Sequence, residues 1–212
     1  FHADHVEGLA GLMRGRTVGQ VWVSNNKDPL FESSQVGKWL GDRALVEPRK
    51  GAIVSLPSSR GPITIKVLWP LNNSATTAVG SAEGSVINNS SVVLEIASPD
   101  FSLLAAGDVE PEAQSEILPF LRHVDIYKVS HHGSARQVKA FMERLSPDLS
   151  IISVGAGNPY GHPAAQTLAT LDRLRSRIYR TDKNGAIAIV ARTHRFSVHT
   201  SAGSWWQKVR LA

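Results

Sequence analysis

Apolar residues recur along this chain with two different spacings, and stretches of each kind alternate. Short apolar runs flanked by Gly, Pro, Asn or Ser are typical of β-strands, whereas apolar residues three or four apart are typical of helices. The runs predict strands over residues 18–24, 44–46, 53–56, 63–69, 92–96, 101–105, 124–129, 149–154, 178–180, 186–190 and 196–199. The helical spacing predicts helices over residues 6–13, 31–40, 111–121, 135–145 and 163–174. We therefore expect a mixed α and β fold, of the α+β class, with layered sheets.

Three local signals add detail to this pattern. Ser134 and Gln137 have the spacing of a capping box, which predicts a helix that begins directly after Ser134. Residues 182–185, D-K-N-G, predict a hairpin turn. Residues 70–91 are rich in Asn, Ser, Thr and Gly and predict a long loop, and loops of this length are usually functional or mobile.

Length and composition favour a single domain. The chain has 212 residues, of which 42% are hydrophobic and 19% are charged, and this is enough for one packed core. No apolar run reaches the ~18 residues that cross a bilayer. Cys is absent, so any metal must be held by imidazole and carboxylate groups. The chain begins with Phe and shows no leader peptide, so we expect an N-terminally truncated fragment of a longer protein.

Charge is distributed unevenly between the two halves. Residues 1–121 contain 9 Lys and Arg against 13 Asp and Glu, a net charge of −4. Residues 122–212 contain 14 against 5, a net charge of +9. A basic half favours a polyanionic partner such as DNA, although a solubilising surface would carry the same charge.

Three groups of His and Asp stand next to predicted strands or helices. His2, Asp4 and His5 lie in F-H-A-D-H at the start of the chain, and Asp108 ends the apolar strand in A-A-G-D-V-E. His131 and His132 follow another strand in V-S-H-H-G-S. Strand ends are where imidazoles and carboxylates assemble hydrolytic metal sites, and a carboxylate can bridge two cations. Isolated surface histidines are common, but groups of this density favour a metal site.

The residues around the His pair suggest how a substrate is held. Adjacent histidines point in different directions, so one can bind metal while the other orients a ligand or contacts substrate. Gly133 permits close approach to the backbone, and the helix predicted after Ser134 suits a phosphate. His162, in N-P-Y-G-H-P, is a further candidate for substrate contact. The chain contains no G-x-S-x-G elbow and no phosphate-loop motif, so metal-dependent hydrolysis fits best.

The ordered set of motifs resembles a known family. F-H-A-D-H is similar to the tail of the H-x-H-x-D-H signature of the metallo-β-lactamase fold, Gly107-Asp108 to its bridging aspartate motif, and H-H-G-S to its later histidine motif. Together with N-N-S-S-V-V-L-E-I, N-P-Y-G-H-P and Y-R-T-D-K-N-G-A-I, the set resembles the C-terminal domain of the ComEC DNA-internalisation proteins from residue 1 to about residue 190.

This resemblance implies a four-layer αββα sandwich and a nuclease that degrades one strand of incoming DNA. It also implies a membrane channel domain in the same parent polypeptide as partner, and a position on the extracytoplasmic side of that membrane. Nothing in the sequence indicates an oligomer. The implied metal ligands are His2, Asp4, His5, Asp108 and one of His131 and His132. Catalytic roles are expected for Asp4, Asp108 and His162, and substrate contacts for Asn89, Gly133, Ser134 and His162.

The chain departs from the family pattern in two ways. The signature has a further His directly before Phe1, and the strands that precede it are missing. The wider fold also supplies a His between the first cluster and the aspartate, where this chain has Asn88 and Asn89. Amide oxygens are hard ligands, so we expect one or two divalent ions, Mn²⁺ or Zn²⁺, with Mg²⁺ as a further option.

Two other functions are compatible with these motifs. One is a hydrolase of a small ester, lactone or phosphocholine-type substrate, because a fold does not determine its substrate. The other is a module that binds DNA without cleaving it. The salt dependence of activity and the effect of a chelator distinguish the three functions.

Overall fold

The N-terminal segment contains three helices and a two-stranded parallel sheet. The computed structural model describes residues 1–41, 43–70, 83–202 and 209–210. The segment runs through α1 (Ala3–Val6), α2 (Leu9–Met13), β1 (Gln20–Trp22), α3 (Leu30–Leu40) and β2 (Ala44–Val46), with β1 and β2 paired in parallel. The helix predicted over residues 6–13 is thus interrupted at Gly8, a residue of low helix propensity. As predicted, α3 ends at Gly41, whose φ of 56° suits the end of a helix.

A seven-stranded mixed sheet forms the centre of the molecule. Its strands lie side by side in chain order: β3 (Ile53–Leu56), β4 (Ile63–Trp69), β5 (Val93–Ser98), β6 (Phe101–Ala105), β7 (Ile126–Lys128), β8 (Leu149–Ile152) and β9 (Arg177–Arg180). The pairs from β3 to β6 are antiparallel, and the pairs from β6 to β9 are parallel. The carboxyl ends of β6, β7, β8 and β9 therefore meet at one edge of the sheet.

Helices connect the strands of this sheet, and three of them cover one of its faces. They are α4 (Glu83–Asn88), α5 (Pro111–Ile117), α6 (Lys139–Leu145) and α7 (Ala165–Arg173). Ile117 of α5, Phe141 of α6 and Leu171 of α7 join one buried cluster with Tyr127 and Ile152 of the sheet. In the part of the chain that the structure describes, no helix has the length and apolar character needed to cross a bilayer.

A three-stranded sheet covers the opposite face. After the single turn α8 (Thr181–Asn184), the chain forms β10 (Ile187–Arg192), β11 (Arg195–Thr200) and β12 (Val209–Arg210). Phe196 and Val198 of β11 pack with Ile126 and Leu149 of the large sheet. Ile126 thus faces the small sheet and Tyr127 the helices, as alternation along a strand requires. The mixed α and β class is confirmed, and the four-layer sandwich stays a prediction.

The capping box predicted at Ser134 is wrong. The helix that should follow it, α6, begins only at Lys139. The Ser134 hydroxyl accepts a hydrogen bond from the Arg136 amide instead, and the Gln137 side chain donates to the Ser130 carbonyl. Both side chains are therefore used by the loop after β7 rather than by a helix terminus.

Two further boundary predictions differ from the structure. Residues 182–185 do not form a hairpin turn, because β9 belongs to the large sheet and β10 to the small one. The helical turn α8 instead carries the chain from one sheet to the other. The loop predicted over residues 70–91 contains α4, and its residues 71–82 lie outside the described part of the chain.

Asp125 links the two sheets just before β7. Its buried carboxylate accepts hydrogen bonds from the Ser102 amide and hydroxyl in β6. Its oxygens also lie 3.0 and 3.1 Å from Nδ1 of His194, in the turn between β10 and β11. Burial alone would raise the pKa of Asp125, but the hydrogen bonds from Ser102 and His194 outweigh burial and lower it.

We expect Asp125→Ala to lower the free energy of unfolding by about 2–3 kcal/mol, because buried donors lose a charged acceptor. Urea unfolding measures this difference. A folded pKa below the unfolded value means that the stabilisation is present at neutral pH and is lost as the pH falls through the folded pKa. Exposed Asp172→Ala is the control and should change stability by less than about 0.5 kcal/mol. Equal urea midpoints for both variants would contradict the link between the sheets.

Candidate metal centre

The polar residues singled out in the sequence lie at the edge where the parallel strands end. Asp108 follows β6 and the His131-His132 pair follows β7, and Ser153, which the sequence did not single out, follows β8. Helix α1 brings Asp4 and His5 to the same edge from the other end of the chain, since His5 contacts Asp108. Parallel pairing of β6, β7 and β8 is thus what gathers side chains that are far apart in sequence.

Four of these side chains surround one point. Asp4, His5, Asp108 and His132 each offer one ligand atom, and these atoms all lie within 4.8 Å of one another. His5 Nε2 lies 2.7 Å from Asp108 Oδ2, and His132 Nε2 lies 3.0 Å from Asp4 Oδ2 and 3.4 Å from Asp108 Oδ2. Two imidazoles and two carboxylates at these distances form a set of donors suited to a divalent cation.

The orientation of His132 suits a metal ligand. Its Nδ1 lies 2.7 Å from the Ser153 carbonyl oxygen, so we assign a proton to Nδ1, and Nε2 is the nitrogen that faces the cluster. Metal-binding histidines are usually oriented by a contact of this kind. Although Nε2 is close to two carboxylates, it is buried without an aligned hydrogen bond, and so is Asp108 Oδ1. Buried polar atoms without a hydrogen-bond partner, within a cluster of ligand atoms, fit a site for a cation.

Charge coupling within the cluster is strong. The carboxylate of Asp108, followed by that of Asp4, raises the pKa of His132 to about 10. Burial of Asp108 would raise its pKa, but the close imidazoles of His132 and His5 outweigh burial and hold that pKa well below its usual range. The two carboxylates thus favour a protonated His132, and a cation that binds here must displace the proton from its Nε2.

His131 points away from this cluster. Its φ of 45° and that of 52° at His132 both lie in the left-handed region, so the two rings diverge. His131 Nδ1 lies 3.2 Å from Glu110 Oε1, and its ring centroid lies 5.3 Å from that of His162. The sequence left open which histidine of the pair meets the acidic groups, and the structure places His132 there.

Glu110 is a site residue that the sequence did not reveal. It is only 3% exposed and accepts hydrogen bonds from Ser85, Asn88 and Arg136. Burial of Glu110 would raise its pKa, but hydrogen bonds from His131 and Ser85, above all, lower it to about 2. In the sequence Glu110 precedes Pro111 and indicated only the start of a helix, so no local signal distinguished it.

Of the four residues expected to contact substrate, only His162 lines a cavity at the cluster. His162 lines an open cavity of about 970 Å³ beside the cluster, together with His2, Asn88 and Tyr160. The other three expected contacts, Asn89, Gly133 and Ser134, are buried and do not line it.

Hydrogen bonds and close packing explain why these three residues do not face the cavity. Asn89 accepts from the Glu110 amide and donates to Glu112, so its side chain is engaged. The Ser134 hydroxyl is used by the Arg136 amide. Gly133 packs against Pro163 rather than facing the cavity. Asn89, Gly133 and Ser134 are therefore engaged within the protein, and their substrate contacts stay predictions.

Comparison with curated proteins finds three related segments. The chain is 39% identical over 103 residues to ComE operon protein 3 of Bacillus subtilis, 26% identical over 126 residues to recombination protein 2 of Haemophilus influenzae, and 28% identical over 107 residues to competence protein ComA of Neisseria gonorrhoeae. These segments cover 47%, 58% and 47% of this chain but only 13%, 16% and 15% of the relatives. The resemblance to ComEC competence proteins is confirmed, and the chain matches a small part of each relative.

Two other comparisons add little. No protein-family model matches the chain. Among solved structures, a protein from Parabacteroides distasonis assigned as a metal-dependent hydrolase has a TM-score of 0.44 and 12% identity, over 80% of this chain and 78% of that one.

Gly133 holds the His pair against the loop that carries His162. Its φ is +78°, and a Cβ added there would lie 2.6 Å from Cβ of Pro163. We expect Gly133→Ala to lower the free energy of unfolding by about 1–3 kcal/mol, because the backbone is strained and the loops are forced apart. Urea unfolding tests this. Gly155→Ala is the matched control, since an added Cβ there meets no atom within 4 Å. Equal losses in the two variants would contradict the packing argument.

Proposed function

We propose that this chain is a metal-dependent phosphodiesterase that acts on DNA during competence-linked uptake. The observation that carries the proposal is the cluster of Asp4, His5, Asp108 and His132 at an open cavity. The similarity to competence and recombination proteins supports DNA as the substrate. The finer expectation of a four-layer sandwich belongs to the same proposal.

The four clustered residues would hold the first ion. A bound divalent ion would supply Lewis acidity toward a phosphoryl oxygen and increase the acidity of water. The Ser153 carbonyl would fix the ring of His132, so that Nε2 faces the ion that replaces its proton. The Asp4 side chain is 59% exposed, and Asp4 is therefore the member of the set that most readily contacts solvent and substrate.

The proposal includes a second, weaker cation position at the same cavity. Asn88 Oδ1 and Asp108 Oδ1 are both buried without a hydrogen-bond partner, and both residues line the cavity with His2. A position rich in oxygen donors suits Mn²⁺ or Mg²⁺ better than Zn²⁺. This arrangement supports two ions of unequal affinity.

The positive charge of the second half of the chain and the open cavity suit a polyanionic substrate. Residues 122–212 carry a net charge of +9 and include His131, His132 and His162. Lys and Arg replace the counterions of a phosphate backbone, which strengthens binding at low salt. His162 would contact the substrate from the wall of the same cavity. We further propose that a membrane channel domain of a longer parent protein delivers the strand.

We expect Mn²⁺ to raise the melting temperature of the 212-residue chain, because an ion that binds only the folded state stabilises it. At about 100 times the dissociation constant the stabilisation amounts to about 2.7 kcal/mol. Asp108→Asn should abolish the shift, whereas Asp172→Asn, on the exposed face of α7, should keep it. Differential scanning fluorimetry with and without metal measures all three. A full Mn²⁺ shift in Asp108→Asn would exclude the cluster as the binding site.

Linear DNA should be cleaved by the Mn²⁺-loaded chain and left intact in excess chelator. Asp108→Ala should lower activity by more than roughly 100-fold, because it removes a metal ligand. Removing a residue that only hydrogen-bonds to a metal ligand typically costs roughly 10- to 100-fold. The KM should rise steeply with salt, since phosphate contacts release counterions. Gel electrophoresis of labelled DNA gives both readouts. Retarded but uncut DNA, unchanged by chelator, would favour a binding module, and a salt-independent KM would favour a small uncharged substrate.

A further inference from the structure

Tyr160 is unusual among the large apolar side chains of this molecule. Its relative exposure is 79%, higher than the 72% of Phe31 and the 53% of Phe120. Single exposed aromatics are common on protein surfaces and need no explanation by themselves. Tyr160, however, lines the cavity that contains the acidic cluster. Its ring is therefore presented to solvent at the entrance of the proposed active site.

The backbone around Tyr160 is anchored although its ring is free. The Tyr160 amide donates a 2.8 Å hydrogen bond to Oδ1 of Asn158. Gly157 and Gly161 have φ angles of 73° and 70°, so the chain turns on both sides of this segment. An exposed ring on an anchored turn loses little further conformational freedom when a ligand packs on it.

A line of rings joins Tyr160 to the cluster. The ring centroid of Tyr160 lies 6.2 Å from that of His162, which lies 5.3 Å from that of His131. The ring centroid of His131 lies 6.1 Å from that of His132, and the centroid of His132 lies 5.2 Å from that of His5. Tyr160 is thus its outer end, separated from the proposed ligand His132 by two imidazoles.

The cavity wall next to Tyr160 has no Lys or Arg side chain, so it suits a flat neutral group better than a phosphate. Residues 153–160, which line the cavity, read S-V-G-A-G-N-P-Y and contain no Lys or Arg. Gly155, Ala156 and Gly157 leave space beside the ring because they have small side chains or none. Proteins that bind single strands combine a basic groove for the backbone with aromatic rings on which bases stack.

We propose that Tyr160 is a stacking platform for a nucleobase of a single-stranded polynucleotide whose phosphate lies at the cluster. This inference rests on the proposed function and specifies its substrate. Bases within a duplex are already stacked on their neighbours, so a platform of this kind selects an unpaired strand or a frayed end. Stacking does not depend on base identity, so the site binds strands of any sequence.

The test separates base stacking from phosphate binding. Fluorescence anisotropy measures binding of the 212-residue chain to a labelled oligothymidylate and to an abasic oligonucleotide of equal length and charge. The wild type should bind the abasic strand roughly tenfold more weakly. Tyr160→Ala should bind oligothymidylate roughly tenfold more weakly than the wild type and should no longer distinguish the two strands. Tyr160→Phe should retain the discrimination, because the ring remains.

Phe120→Ala serves as the matched control. Phe120 is an exposed aromatic that precedes β7, whereas the His pair follows that strand, so the two lie at opposite ends of it. This variant should bind both strands as the wild type does. Equal discrimination between the strands in Tyr160→Ala and the wild type would overturn the platform.

Failure of the platform can be distinguished from failure of the nuclease proposal. Metal-dependent cleavage together with unchanged strand discrimination in Tyr160→Ala would exclude only the platform. Absence of cleavage together with loss of discrimination in that variant would exclude only the nuclease, and would leave a single-strand binding site beside the cluster.

Discussion

A buried carboxylate must find positive partners, and Asp108 imposes this requirement at the edge where the parallel strands end. Asp108 is only 4% exposed, yet the imidazoles of His132 and His5 hold the pKa of its carboxyl group low. Removing one partner from a buried charge of this kind costs several kcal/mol. The contact between Asp108 and His5 therefore fixes the first helix against the sheet and closes the cluster.

A second buried acid, Glu110, explains why the two histidines of the pair make different contacts. Asp108 and Glu110 are two residues apart after β6, and each meets a different histidine. Glu110 draws His131 toward His162, while Ser153 and Asp108 hold His132 in the cluster. One imidazole thereby lies in the acidic cluster, and the other lies between Glu110 and His162.

Parts of the fold could be predicted because they depend on local pattern. The strands at residues 44–46, 53–56 and 63–69 follow directly from apolar runs between Gly and Pro. The start of α6 could not be predicted, because the side chain of Gln137 contacts Gln114, 23 residues earlier in the chain, and the Ser130 carbonyl instead of capping a helix. The hairpin at residues 182–185 was wrong because β9 and β10 pair with different neighbours, which a turn sequence does not encode.

The sequence by itself determined the candidate ligands, and it placed Asp108 and the His pair at strand ends because His and Asp after apolar runs are visible without coordinates. Only the tertiary structure decided which of them meet. The left-handed backbone at His131 and His132 sends one ring to each buried acid, and parallel pairing of β6, β7 and β8 sets their separation. Asn89 illustrates the same limit, since its burial beneath Glu110 and Glu112 follows from packing rather than from any local motif.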